Sequence, residues 1–242
     1  LLPNASMSLL QKLSDPRRPG SIARRLRERR FAFFSALLEN VPRPIRLLDI
    51  GGTEDFWETM GFLGGGDTEI TLCNVTSLPP PRNPGIRLVQ ADACDLGMFR
   101  DGEYDVVFSN SVIEHVGDMS RCRAMADEVQ RVGRRYFVQT PNRHFPIDPH
   151  FPFPFFQFLP LAVRAFLLRK LPLAWVGRIR DPANAREIAQ SVKLLTESEL
   201  RGLFPGCEMY REKFLGMTKS FIAYSGWSPA DPASSAKRAS VQ

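Results

Sequence analysis

Asp49, Gly51 and Gly52 close the run Arg46-Leu47-Leu48-Asp49-Ile50-Gly51-Gly52-Thr53, an ending suited to holding a ligand. A turn pressed against a bound molecule has no room for a Cβ and often needs positive φ, which glycine supplies. Two further acceptors follow at comparable places. Asn74 ends a run rich in β-branched residues, and Asp92 stands in Gln90-Ala91-Asp92-Ala93 after a third apolar run. An acceptor at the end of a second strand, about 20 residues past a glycine turn, is where ribose hydroxyls are held in dinucleotide sites. Asp92, followed by the small Ala93, is placed to accept from an adenine amino group and leave room for the ring. Singly these are ordinary loop residues. In this order they point to an adenosine-containing ligand.

Such acceptors converge only if successive strands lie side by side and parallel. The pattern predicts strands over the first run, then Glu69 to Val75, Ile86 to Gln90, Tyr104 to Asn110 and Arg135 to Thr140. Helices are expected at Asp55 to Met60 and Met119 to Val132. Near the end, Thr196 and Glu199 form a capping box for a helix to Phe204, and strands follow at Cys207 to Phe214 and Thr218 to Ser225. Strands alternating with helices at this spacing argue for an α/β, doubly wound, mostly parallel sheet.

Two segments break the rhythm. Residues 1–43 read as a loose arm and a basic amphipathic helix from the N-cap Ser21 to Asn40, with Ile22, Leu26, Phe33 and Leu37 on one face. Its arginines, Arg24, Arg25, Arg27, Arg29 and Arg30 among them, read as a solvated face, with an anionic substrate or a membrane surface as the alternative. Residues 142–180 are crowded with Pro and Phe. Proline cannot donate to a sheet ladder, so this segment reads as an irregular aromatic cap with one or two short helices, inserted in a domain spanning 44–227. Core packing is the first role for its phenylalanines; an acceptor pocket or a homodimer interface is the sharper one. The tail at 228–242 has the composition of a disordered segment.

The 242 residues are long enough for one sizeable core, and 43% hydrophobic against 24% charged is an ordinary globular balance. No apolar run reaches membrane-span length, because Arg164, Arg169 and Lys170 interrupt the longest. Cys73, Cys94, Cys122 and Cys207 show no Cys-x-x-Cys pairing and read as reduced thiols; with no signal-peptide pattern, a cytoplasmic location is expected. The net charge of +6 permits an anionic partner without requiring one.

Leu48-Asp49-Ile50-Gly51-Gly52, Asp92-Ala93 and Ser109-Asn110-Ser111-Val112-Ile113-Glu114-His115-Val116 together resemble the class I S-adenosylmethionine-dependent methyltransferases, in the type 11 group with a Ser-Asn-x-x-x-Glu-His-Val signature. The resemblance implies a seven-stranded Rossmann-like sheet with an antiparallel last strand. It also implies S-adenosylmethionine across the ends of strands one to four, held by Asp49, Gly51, Gly52, Thr53, Asn74, Asp92, Ala93, Ser109 and Asn110. The chain departs from the family twice. Thr53 and Asp55 replace the second and third glycines of the turn, and Asn74 stands where an acidic ribose acceptor is usual, which removes charge assistance from that bond.

Several classes are set aside. Gly-x-Gly-x-x-Gly is absent, against a nicotinamide enzyme. Base methylation of nucleic acid is disfavoured, since no Asn/Asp-Pro-Pro-aromatic motif and no Pro-Cys nucleophile is present. An RNA methyltransferase using the basic helix remains an alternative, as does a non-catalytic S-adenosylmethionine-binding module. Glu114-His115 is similar to a metal-ligand pair of some quinone and RNA methyltransferases, but Ser111 stands where those carry a third ligand, so no metal is expected.

On the acceptor side, His144, Asp148 and His150 follow the fifth strand, beside the place where the resemblance puts the methyl group. Methyl transfer needs alignment, and a base where a hydroxyl must lose its proton. His144 or His150 is expected to be that base, with loop stabilisation as the plainer role. The expected function is therefore methyl transfer to a small-molecule acceptor, O-methylation favoured.

Overall fold

The computed structural model describes residues 20–173 and 177–227; the expected arm before Gly20 and the tail from Ser228 lie outside them. In chain order the elements are α1 (Ile22–Leu38), β1 (Ile45–Ile50), α2 (Glu54–Thr59), β2 (Thr68–Asn74), β3 (Ile86–Gln90), β4 (Val106–Asn110), α3 (Met119–Val132) and β5 (Tyr136–Pro141). Then come β6 (Ile147–Asp148), β7 (Phe151–Pro154), α4 (Leu161–Lys170), α5 (Pro182–Gln190), α6 (Glu197–Leu203), β8 (Glu208–Phe214) and β9 (Met217–Ser225). Seven strands form one sheet in the order β3-β2-β1-β4-β5-β9-β8. β1 to β5 run parallel, and β9 is antiparallel to both of its neighbours. The doubly wound, mostly parallel sheet expected from the strand spacing is present, with the seven strands and the antiparallel last strand that the resemblance implies.

The strand order reverses between β1 and β4, so a crevice opens at their carboxyl ends, where α/β sheets bind ligands. Both faces of the sheet are covered, which is why its central strands are almost continuously apolar. On one face, Phe34 and Leu37 of α1 pack with Trp57, Phe108 and Phe137; the Phe108 and Phe137 rings stack with centroids 5.5 Å apart. On the other, Cys122, Met125, Ala126, Val129 and Val132 of α3 recur at helical spacing and pack with Leu200 and Leu203 of α6. Asp118 caps α3, accepting from the backbone of Ser120 and Arg121, and the capping box at Thr196 and Glu199 is formed.

The cap differs from its expectation in two ways. β6 and β7 make a short antiparallel hairpin within the proline-rich stretch. Proline is tolerated there because a two-stranded ribbon is all edge and asks little of its ladder. The insertion also continues past residue 180. Asp181 caps α5 by accepting from the Ala183 N–H, with Pro182 at the first turn, and α5 packs on α4 around Phe156, Leu168, Ile179, Ala185 and Ala189. An Asp-Pro pair opening a helix was a readable signal. The cap thus has a small core of its own. Its two ends lie together: Asn142 bridges Leu195, and the Arg143 N–H donates to the Leu195 carbonyl.

Candidate functional site

Three clefts meet along the carboxyl edge of the sheet. The first, of about 380 Å³, lies over the ends of β1 to β3 and is lined by Ile50, Gly51, Asn74, Asp92, Ala93 and Val112 among others. The second is about 140 Å³, bounded by Arg27, Asp49, Gly51, Gly52, Thr53 and Asn110. The third, about 210 Å³, runs beneath α1 and the cap, between Arg27, Arg30, Asn110, Gln139, His150 and Lys219. Gly51 belongs to the first two, Asn110 to the last two, and Ser111 to the first and third.

The glycine turn leaves no slack. Gly51 has φ +75, and a Cβ on Gly52 would lie 1.6 Å from Asp49 Oδ2. Asp49 is buried and accepts from Trp57 Nε1 at 2.7 Å, which ties the turn to the aromatic core. Across the turn, Asn74 Nδ2 donates to the Gly52 carbonyl at 2.9 Å, which leaves the amide oxygen as the acceptor atom. Asp92 is less free than its place in the sequence suggests. One oxygen accepts from the Cys94 N–H and the other pairs with Arg121 at 2.7 Å, so further bonds use the remaining lone pairs. The Cys94 and Arg121 bonds also hold its carboxyl below the usual range.

Burial pushes Asp49 up to about 8 against the lowering pull of Trp57, and Glu114 up to about 7. The folded protein therefore keeps protons that the unfolded chain releases near pH 4. The stability so contributed is present at acid pH and falls as pH rises towards about 8. Thermal melting should show Tm dropping by several degrees between about pH 5 and pH 8, and Asp49→Asn should flatten that slope. A variant with an unchanged slope would remove Asp49 as the cause.

A histidine pair stands between the clefts, His150 lining the third and His115 the first. His150 Nδ1 meets Asp148 Oδ1 at 2.8 Å, and the same oxygen accepts from the His150 backbone N–H. His150 Nε2 faces His115 Nε2 at 3.0 Å. The backbone of Ser191 accepts from His115. With their other nitrogens committed, the two Nε2 atoms present lone pairs to each other, an arrangement that a shared cation relieves. Glu114 adds to this need. It is fully buried, Thr140 Oγ1 donates to one of its oxygens at 2.9 Å, and the other has no hydrogen-bond partner among the described residues and lies 4.0 Å from His150 Nε2. Burial opposes charge on His150, but Asp148 outweighs it and leaves the pKa raised. Burial and the neighbouring His150 press His115 down to about 4. A proton arriving here settles on His150.

Arg30 was not foreseen as a site residue. It is 8% exposed, forks onto Glu212 with Nη2 to Oε2 at 2.8 Å, and donates through Nη1 to Asn110 Oδ1. The helix face expected through Ile22, Leu26, Phe33 and Leu37 runs instead through Leu26, Arg30, Phe34 and Leu37, so one arginine of the supposed solvated face points inward. Its position four residues from both Leu26 and Phe34 was the available signal. Burial would raise Glu212, but Arg30 holds it below the usual range. Lys219 is pushed down to about 8 by burial, with Arg30 adding to the shift.

Of the residues expected to hold the cofactor, Asp49, Gly51, Gly52, Thr53, Asn74, Asp92, Ala93 and Asn110 all line the first two clefts. Ser109 does not: it is fully buried within β4, borders none of the three clefts, and its Oγ has no partner among the described residues. Its Cα faces Ile50 on one side and Val138 on the other, so the alternation of the strand turns it away from the crevice. His144 is likewise apart. It is exposed and borders none of the three clefts, because the Asn142 side chain accepts its backbone N–H in a tight turn. Ser111, in the left-handed region at φ 59, joins the first and third clefts, and its Oγ donates to Gln139 Oε1.

Residues 69–137 match the sequence model described as a methyltransferase domain. A comparison with curated proteins finds no match. Among solved structures, the chain is similar to the CurJ carbon methyltransferase at 11% identity and a TM-score of 0.53, over 89% of this chain and 57% of that one. It is also similar to a SAM-dependent methyltransferase from Aquifex aeolicus (10% identity, TM-score 0.48, 89% and 95% covered). A third is the Burkholderia thailandensis 1,6-didemethyltoxoflavin-N1-methyltransferase, solved with S-adenosylhomocysteine (13%, 0.46, 81% and 76%). At these identities the likeness is one of fold.

Proposed function

We propose that this chain, an S-adenosylmethionine-dependent methyltransferase of class I by its matched domain and sheet, moves the methyl group to an oxygen of a small-molecule acceptor in the third cleft. The cofactor's chemistry suits the first two clefts. Apolar walls at Ile50 and Val112 with Asn74 and Asp92 at hand fit an adenosine, and Arg27, Asp49 and Asn110 fit a zwitterionic amino-acid end. When bound, S-adenosylmethionine supplies an electrophilic methyl group on a sulfonium.

The chain's own residues then have two tasks. One is alignment: Asn110 and Ser111 form the border shared by the clefts, and the Arg30–Glu212 pair fixes Asn110 from behind. The other is the proton. An acceptor hydroxyl gives its proton to His150 Nε2, the lone pair of His115 Nε2 shares it, and Asp148 stabilises the imidazolium from the far side. This histidine pair, with His150 open to the third cleft, is the single observation that carries oxygen over nitrogen as the accepting atom.

A panel of hydroxylated and amino compounds, incubated with cofactor carrying an isotopically labelled methyl group, tests the reading. Label is expected on oxygen, and transfer confined to amines would overturn it. The lone pairs that receive the proton, together with Glu114, are the one group of metal-capable side chains converging among the described residues. On the reading of a shared proton, chelators should leave turnover intact and added zinc should inhibit by occupying the same atoms. Loss of activity on chelation, restored by a divalent ion, would instead make the pair a metal site.

A further inference from the structure

The outer face of the cap carries a feature that methyl transfer does not use. α4 reads Leu-Ala-Val-Arg-Ala-Phe-Leu-Leu-Arg-Lys, apolar on nearly every side, yet Leu168 is its one fully buried residue. Val163, Phe166 and Lys170 follow one another at three- and four-residue spacing, so they share a stripe, and Phe166 is 55% exposed. Phe155 and Phe158, just before the helix, are 57% and 50% exposed, and Leu171, just after it, is 39% exposed. Phe155 holds its ring outward from a left-handed backbone at φ 60, a conformation that a non-glycine residue keeps only where its surroundings enforce it. A helix apolar all round is ordinarily buried. This one is not.

Charge says what it faces. Arg169, Lys170, Arg178 and Arg180 are exposed around the C-terminal end of the stripe, and Arg178 Nε donates to the Arg169 carbonyl at 2.6 Å, which draws two of them together. Lys170 Nζ lies 5.8 Å from the Phe166 ring centroid. Among the described residues none of these four forms a salt bridge. An apolar stripe ending in cations fits the boundary of an anionic bilayer, with rings at the acyl edge and basic groups among the headgroups. A second copy of the chain fits less well, since it would bring the same four cations to the same patch. No helix among the described residues is long and apolar enough to cross a membrane, so the contact is one of surface seating.

We infer that the cap docks on an anionic lipid surface through Phe155, Phe158, Phe166 and the basic end of α4. The inference stands apart from the choice of acceptor atom and from the base. It is tested by sedimenting the full chain with phosphatidylcholine vesicles, with and without a large fraction of phosphatidylglycerol. Binding is expected only to the anionic vesicles, weakened by salt, and reduced about tenfold or more by Phe158→Ser with Phe166→Ser, and again by Arg169→Glu with Lys170→Glu. All four side chains are exposed, so the variants should fold; S-adenosylhomocysteine binding checks that they do. Three results would overturn the inference. These are no preference for anionic vesicles, binding lost on Arg25→Glu with Arg29→Glu in α1 but kept in the cap variants, or a concentration-dependent doubling of mass abolished by Phe166→Ser, which would make the patch an interface between copies.

Discussion

His150→Ala is expected to lower turnover by about 10²-fold or more, while calorimetry with S-adenosylhomocysteine shows cofactor affinity nearly unchanged. The separation follows from the geometry. His150 borders the third cleft, whereas the first cleft is walled by Ile50, Asn74 and Asp92 on other strands. Asp148→Asn should give a smaller loss, because the amide cannot stabilise the imidazolium, and an acid limb of the rate profile that moves to lower pH, because His150 loses its largest raising influence. His144→Ala serves as the control, since that residue is exposed and should leave turnover as it was. Full turnover in His150→Ala on the true acceptor would end the base assignment; loss of cofactor binding in the same variant would mean that the cap supports the first cleft as well.

Gly52→Ala is expected to abolish measurable cofactor binding. The new methyl group would stand 1.6 Å from Asp49 Oδ2, a buried carboxyl that cannot swing aside without breaking its bond to Trp57. Either the turn moves or the aromatic core does, and Tm should fall along with affinity. Gly51→Val meets Val112 Cγ2 at 2.5 Å and must also leave φ +75. It should fail in the same way. Fluorescence or calorimetric titration reads the affinity and a melt reads the stability. A well-folded Gly52→Ala protein that binds S-adenosylhomocysteine as tightly as the parent would show that the turn is not the cofactor's cradle.

What was legible beforehand tracks how local each determinant is. The sheet was legible because each parallel strand is a short apolar run, and α3 because its apolar residues recur at helical spacing within one stretch of chain. The glycine turn and the acceptors Asn74 and Asp92 were legible because strand ends are fixed by strand positions. The histidine pair was half legible. His150 was singled out, but its partner His115 lies 35 residues away, and only the path of the cap brings them to 3.0 Å. Arg30 and Glu212 are 182 residues apart, and no local pattern announces such a pair; a charge on an apolar stripe was the one hint. The hairpin of β6 and β7 was hidden by its prolines, which argue against a ladder in general but not against a ribbon this short.

The cap leaves the sheet at Asn142 and returns at Leu195, and those two points touch. A segment whose ends meet can be exchanged for another without asking its host to move, as a blade is changed in a fixed handle. The handle here would be the sheet with its glycine turn. The blade carries Asp148 and His150 as well as the exposed apolar stripe of α4. Chemistry and address would then travel together: a graft of this cap onto a related sheet would bring a base and a place of work in one piece.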